Sequence, residues 1–316
     1  MKFFIKVFIL AIVISGTLIM LPKATSNFSP VEPSLEEVEP EPVKTLSQQL
    51  YELQGRGAGT TYERQAAEIL AAYFEEIGLN PWPEYPSYLQ EFNIGTVTSF
   101  KEEGRTRFRT AGPPRYQSQN VIGYLPGQDP EGKWIIFGAH YDGQGEVNGT
   151  IYPSANDNLS GIMALTALAK SLAAEPRLNY TLCFVAFGAE EPGLLGAQHL
   201  VANLPVPVEK IQAVINLDTI GKTCDTLLIY TTEHNPLASA LSPVFHRYGF
   251  QVSVILAAGT SDHYPFSLQG IPAVTIATEN WLEGNHTPQD TLEDVDRIQV
   301  GRIAGALKQS LYYLVR

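Results

Sequence analysis

From residue 119 onward, short apolar runs alternate with stretches of helical period: QNVIGYL, KWIIFGAH, the helical LSGIMALTALAKSLAA, NYTLCFVAFGAEE, a helix through LLGAQHL, then IQAVINLDTIG and DTLLIY. The helical LASALSPVFHRYG, the strand QVSVIL, a loop, the strand IPAVTIAT and a closing helix from about Val295 complete the series. Short apolar runs between helical periods predict an α/β fold with a mostly parallel, twisted central sheet covered by helices on both faces. One domain over residues 45–316 accounts for the whole pattern, and no internal repeat is present. Upstream, TTYERQAAEILAAYFEEIGLNP opens with Thr60 and Glu63 at capping-box spacing and repeats apolar residues at Ala66, Ile69, Leu70, Tyr73, Phe74 and Ile77. It meets Gly78 where a helix should stop, so it predicts an amphipathic helix. The preceding GRGAGT does not complete a dinucleotide-loop pattern and reads as a glycine-rich turn. Residues 84–110, including EYPSYLQEFNIG, either contribute to a pocket or merely pack.

The opening MKFFIKVFILAIVISGTLIMLPKATSN places Lys2 and Lys6 before an apolar stretch from Val7 to Leu21 and a small-residue tail, the order of a secretory signal. Fifteen helical residues reach only about 22 Å, short of a hydrocarbon core of about 30 Å. Residues 1–26 are therefore expected to be a cleaved signal, with an uncleaved N-terminal anchor as the alternative. Both place the remainder outside the cytoplasm, secreted, extracellular or periplasmic. Residues 27–44, NFSPVEPSLEEVEPEPVK, are acidic and proline-rich and predict a solvated linker.

With 316 residues, 44% hydrophobic and 17% charged, the chain is globular in composition. A net charge of −12 without basic clusters argues against nucleic-acid binding. Cys183 and Cys224 are the only cysteines, so no disulfide framework supports the fold, and Cys183 inside an apolar run reads as a buried small hydrophobe.

The ligand-type residues fall at the ends of the predicted strands. His140 and Asp142 follow WIIFGA, Glu190 and Glu191 follow LCFVAFGA, Asp218 ends AVINL, and His286 lies past AVTIAT. In open α/β sheets, sites form in the crevice outside the carboxyl ends of the strands. Imidazole and carboxylate suit zinc, and two ions about 3.5–4 Å apart need a shared carboxylate, for which Asp157 at the junction SANDNLSG is well placed. Asp157, Glu191 and Asp218 nearly balance two divalent ions and leave Glu190 as a free base. Each residue also has an ordinary reading: Asp157 and Asp218 as caps, the glutamate pair as a solvated face, His286 as a loop or core histidine. All of these would have to hold together to empty the rim of chemistry. His199 and His246 read as packing or surface residues, His234 as a turn, and Asp262–His263 as supporting the rim or not.

The series HYDG, ANDN with SG following, FGAEE, NLDTIG, TSDHYPF, GIPAV and HTPQDT, in this order, resembles the M28 zinc peptidases, the co-catalytic aminopeptidases of the zinc exopeptidase fold. GRGAGTTYERQAAEIL resembles their N-terminal helix, so the likeness runs from about residue 45 to the end. The resemblance implies one zinc on His140 and Asp218, another on Glu191 and His286, and Asp157 bridging the two. Asp142 would fix the His140 imidazole from behind, and Glu190 would act as general base on the attacking water. A peptide with a free N-terminus is the implied substrate, and a monomer is expected. Where some members carry a tyrosine before the SDH loop, this chain has Leu256-Ala257-Ala258-Gly259-Thr260, and Thr219 replaces a frequent methionine. A glutaminyl cyclase, a carboxypeptidase or dipeptidase, and a non-catalytic ectodomain are the alternatives on this fold. The sequons at Asn158 and Asn285 lie inside site motifs and are not expected to be glycosylated.

Overall fold

The apolar runs of the second half become neighbouring strands in one mixed sheet. The computed structural model describes residues 41–233 and 235–314, with side chains from residue 46 onward. The expected signal, residues 1–26, most of the expected linker and His234 lie outside the described residues. The strands are β1 (Asn80–Pro81), β2 (Leu89–Glu102), β3 (Arg105–Leu125), β4 (Trp134–His140), β5 (Gly145–Val147), β6 (Thr150–Tyr152), β7 (Thr181–Phe187), β8 (Ile211–Leu217), β9 (Thr226–Thr231), β10 (Gln251–Leu256) and β11 (Ala273–Thr278). The helices are α1 (Glu41–Tyr51), α2 (Thr61–Glu76), α3 (Ser160–Ala173), α4 (Leu195–Ala202), α5 (Pro236–Arg247), α6 (His263–Ser267) and α7 (Arg297–Leu314). Helix α1 opens at Glu41, inside the stretch expected as linker, so the folded unit begins a few residues earlier than its proline content suggests.

Nine strands form the main sheet in the order β1-β3-β7-β4-β8-β11-β9-β10, with β2 on β3, while β5 and β6 pair separately. The central four, β7, β4, β8 and β11, are parallel, as are β9 and β10. Antiparallel pairs flank them at β3–β7 and β11–β9. The parallel centre is the expected one, and the antiparallel wings make the sheet mixed. Period-two alternation in β7 sends Leu182, Phe184 and Ala186 into one core and Cys183, Val185 and Phe187 into the other. The larger core lies under α1, α2, α3, α5 and α7, and the smaller one under α4. Both layers bury the sheet, which is why β7 and β11 are apolar along nearly their whole length.

Helix α2 begins as its sequence predicts: the Thr60 side chain accepts from Glu63 N at 3.3 Å. The reciprocal half of the capping box is displaced by one residue, because Glu63 accepts from Gly59 N at 2.6 Å. Both cysteines are free thiols. Among the described residues, no helix is long and apolar enough to cross a membrane.

The largest departure from the sequence pattern is the β2–β3 hairpin, paired from Leu89–Val121 to Glu102–Arg105. Residues of its far half, Phe100, Arg105, Arg107 and Phe108, line one cleft with the residues that follow strands β7 and β8.

Candidate metal centre

Strand register brings the rim residues level. His140 ends β4 opposite Phe187 of β7, two residues before Ala189, and Leu217 of β8 pairs with Ile276 of β11 immediately before Asp218. Asp157 arrives from a different direction, in a short π-type turn, Ala155–Leu159, that leads into α3 and contains a cis Asp157–Asn158 peptide. Three backbone positions at the rim are left-handed without being glycine: Ala189 (φ 50°), Thr219 (φ 53°) and His286 (φ 56°). Such conformations cost energy in isolation and persist where the surroundings enforce them, often at sites of chemistry.

All the expected ligand residues converge. Asp157 divides its oxygens between two groups: Oδ1 lies 3.2 Å from His140 Nε2, and Oδ2 lies 3.1 Å from His286 Nε2. Asp218 Oδ1 lies 3.5 Å from His140 Nε2, and Glu191 Oε2 lies 3.1 Å from His286 Nε2. Bonds of about 2.0–2.2 Å to a tetrahedral ion set neighbouring donors about 3.3–3.6 Å apart. The spacings on both sides of Asp157, 3.1–3.5 Å, come within about 0.2 Å of such edges, and each imidazole faces two carboxylates. Glu190 Oε2 stands 4.0 Å from His140 Nε2 and faces the same space, with ligand atoms of His140, Glu190 and Asp218 all within 4.8 Å of one another.

Hydrogen bonds behind the donors set their orientation. His140 Nδ1 donates to Asp142 O at 3.1 Å, and His286 Nδ1 donates to Thr106 O at 2.6 Å. A carbonyl can only accept, so both imidazoles carry a proton on Nδ1 and turn Nε2 inward toward the carboxylates. Ser261 donates to Asp218 Oδ2 at 2.6 Å, Gln144 donates to Glu191 Oε1, and Asn285 donates to Asp157 Oδ2 at 2.5 Å. Asp142 serves the imidazole mainly through its carbonyl; its carboxylate lies 3.6 Å from Nδ1 and is hydrogen-bonded instead to the amides of Glu190 and Glu191. Asp290 repeats this arrangement on the other side, accepting from Asn156 N at 2.7 Å and Asp157 N at 3.0 Å.

Crowding of buried carboxylates sets the electrostatics. Burial, reinforced by Glu191, Asp262 and Asp218 against the opposing pull of His140, pushes Glu190 well above the usual carboxyl range. Burial alone would lower His286, but Glu191 and Asp157 outweigh it and push the imidazole up to about 11. Burial likewise opposes the rise of His140, which Glu190, Asp142, Asp157 and Asp218 nevertheless carry well above its ordinary value. Burial would raise Asp157, yet hydrogen bonds to the two imidazoles hold it below the usual range. A desolvated cluster with this surplus of negative charge attracts cations.

Several residues of this scaffold carry no signal that the sequence pattern exposes. Arg105, Thr106 and Phe108 come from the β2–β3 hairpin, and Phe108 packs edge-on against His286, with ring centroids 6.2 Å apart. Buried Glu63 accepts from Ser118 Oγ at 2.6 Å and Ala189 N at 3.2 Å, bracing the turn before Glu190. Asn158 accepts from Gly161 N and Thr219 N, while its Nδ2 donates to Leu217 O. The sequon asparagines Asn158 and Asn285 are thus engaged inside the site. The Asp262–His263 pair is buried, but among the described residues neither makes a hydrogen bond to the rim ligands; His263 Nδ1 pairs with Thr275 Oγ1 at 2.7 Å. The neighbour that does reach the rim is Ser261. His199 stacks on Phe92, away from the cluster.

The sequence profile of "Peptidase family M28" matches residues 120–310, more than half of the chain and the segment that holds every rim ligand. The chain belongs to peptidase family M28. This family member is 28% identical over 211 residues to "Aminopeptidase YwaD" of Bacillus subtilis, a match covering 63% of the chain and 45% of that protein. It is 34% identical over 173 residues to "Leupeptin-inactivating enzyme 1" of Streptomyces exfoliatus, covering 52% of the chain and 36% of that protein. The matches thus span less than half the length of these curated relatives. Among solved structures, an aminopeptidase from Aneurinibacillus sp. strain AM-1 superposes with a TM-score of 0.73 at 18% identity, over 88% of this chain and 94% of that one. At that identity the likeness establishes the shared fold of this M28 chain.

Proposed function

We propose that this chain is a zinc-dependent aminopeptidase that hydrolyses the N-terminal peptide bond of peptides, with two Zn²⁺ sharing Asp157 and with Glu190 as general base. The observation that carries the reading is the division of Asp157: one oxygen faces His140, whose Nε2 also faces Asp218, and the other faces His286, whose Nε2 also faces Glu191, at distances of 3.1–3.5 Å from each Nε2. On this reading the first ion rests on His140, Asp157 and Asp218, and the second on His286, Asp157 and Glu191. Two dications would offset the carboxylate surplus, lower the pKa of water and polarise the scissile carbonyl.

The chain's own groups supply the rest. Glu190 Oε2 accepts the proton of the attacking water and returns it to the leaving amine nitrogen, a role suited to a carboxyl that burial has made more basic than usual. Asp142 holds Glu190 in place through its amide, and Thr106 and Asp142 hold the two imidazoles through their carbonyls. The surrounding carboxylates favour the substrate's α-ammonium group. Residues 1–26 are proposed to export the enzyme, which N-terminal sequencing of the mature protein from its host tests directly.

Purified protein is expected to hold about two zinc ions per chain and to release p-nitroaniline from an aminoacyl reporter in a chelator-sensitive reaction. Glu190→Gln should retain the metal and lose about 10²- to 10⁴-fold in kcat. Full activity in that variant, or in zinc-free protein, rules the mechanism out. Product mass distinguishes the related chemistry: an N-terminal glutaminyl peptide that loses ammonia instead of gaining water identifies a cyclase.

A further inference from the structure

The cleft above the rim carries a cationic wall. It occupies about 380 Å³, and Arg105 and Arg107 line it together with Asp157, Glu190 and Trp281. The two arginines are two residues apart on β3, so the strand's period turns them to the same side. Arg105 is held in place: its guanidinium lies over the Trp281 ring at 5.2 Å and donates to Asn285 Oδ1, whose other amide atom donates to Asp157. Among the described residues, no carboxylate stands within ion-pair distance of Arg105. Arg107 has only a half-exposed pairing with Glu102, at 3.4 Å, which solvent screens.

We propose that Arg105 and Arg107 form a subsite for a substrate carboxylate, so that the cleft selects peptides bearing a negative charge on the residue that leaves. The inference rests on the aminopeptidase reading above. The floor of the cleft is lined by carboxylates and the hairpin wall by two guanidinium groups. With two dications in place, the negative charge of the floor is cancelled, and the arginines leave the cleft net positive and suited to a carboxylate.

Reach agrees with a short substrate. Two hydrogen bonds and one amide group separate the Arg105 guanidinium from the Asp157 carboxylate, a path of about 8 Å at most. One residue of extended chain spans about 3.5 Å, and a hydrogen-bonded carboxylate adds about 4 Å to that. The α-carboxylate of a dipeptide, or an acidic side chain on the leaving residue, therefore meets the arginines, while the α-carboxylate of a longer peptide passes beyond them. Planar guanidinium groups suit carboxylates by paired hydrogen bonds.

The test compares kcat/KM for Leu-Gly with Leu-Gly amide, and for Leu-Asp amide with Leu-Asn amide, in the zinc-loaded wild type, Arg105→Gln, Arg105→Lys and Arg107→Gln. The wild type should favour the charged member of at least one pair by about ten-fold or more, the size of a charge-assisted hydrogen bond. Preference in the first pair assigns the subsite to the α-carboxylate, and preference in the second to the side chain. Arg105→Gln and Arg107→Gln should each shrink the ratio, and Arg105→Lys should restore part of it. A purely structural role for Arg105 lowers both members of a pair equally, so an unchanged ratio in both glutamine variants overturns the proposal. Hydrolysis of all four substrates without discrimination overturns the subsite alone, whereas hydrolysis of none overturns the aminopeptidase reading together with it.

Discussion

Asp142 holds the Glu190–Glu191 pair by its backbone: Oδ1 accepts from Glu190 N at 2.9 Å and Oδ2 accepts from Glu191 N at 3.2 Å. The same residue's carbonyl accepts from His140 Nδ1 at 3.1 Å. One residue on the β4 loop thus aligns an imidazole from one strand and two carboxylates from its parallel neighbour. The left-handed turn at Ala189 brings the two amides round to this carboxylate, and buried Glu63 secures the third, at Ala189 itself.

Asp142→Asn keeps the shape but replaces one acceptor oxygen with an NH₂ group facing an N–H donor. Loss of alignment behind a metal ligand typically costs 10- to 100-fold, so kcat should fall by about that factor and zinc should dissociate more readily. Steady-state kinetics with zinc analysis after dialysis checks both, and wild-type values for both would refute the alignment role.

Asp157→Asn removes the negative charge that both imidazoles face. Zinc should fall from about two ions per chain to one or fewer, with at least about 100-fold loss of activity. Elemental analysis after gel filtration provides the count. Retention of two ions would show that another group bridges them.

Arg56, in the turn GRGAGT, is fully buried and donates to four backbone carbonyls: Leu50, Tyr141, Pro153 and Ser154. It ties helix α1 to the loop that carries Asp142 and Asp157. Burial lowers its guanidinium to about 10, against the opposing influence of Asp142 and Asp290, so it remains charged at neutral pH. Arg56→Met leaves those carbonyls unpaired in the interior and should cost about 3–5 kcal/mol. Urea unfolding of the zinc-loaded proteins measures the difference, and a change under about 1 kcal/mol would contradict this role.

Burial holds the His263 imidazole down to about 4, compared with 6.5 for the free group. The unfolded chain therefore takes up this proton first, so the stabilising contribution is complete above pH 6.5 and is lost as the pH falls toward 4. The full effect is about 3 kcal/mol. Unfolding free energies at pH 7.5 and 4.5 should drop further for the wild type than for His263→Gln, because contributions from the other groups cancel. Equal drops would place the imidazole in a solvated environment.

By itself, the sequence determined the central sheet and the identity of the rim. An apolar run that ends in a histidine or acid is a local signal: burial on both faces selects the run, and the first polar residue after it must emerge at the strand end. His140, Glu190, Glu191 and Asp218 were legible for that reason, and the order of the motifs added Asp157, His286 and the family. Only the tertiary structure decided what surrounds them. The far half of the β2–β3 hairpin is mostly exposed or half-buried and mixed in composition, so nothing local marks it as the roof of the cleft. The partner of His286 is the carbonyl of Thr106, 180 positions away, and a carbonyl acceptor leaves no trace in residue type. Asp290 was visible in HTPQDT, but its grip on the amides of Asn156 and Asp157 depends on loops meeting across 133 and 134 residues. Side-chain chemistry fixes which atoms can bind a metal, and the packing of distant segments fixes where those atoms point and which substrate charge the cleft receives.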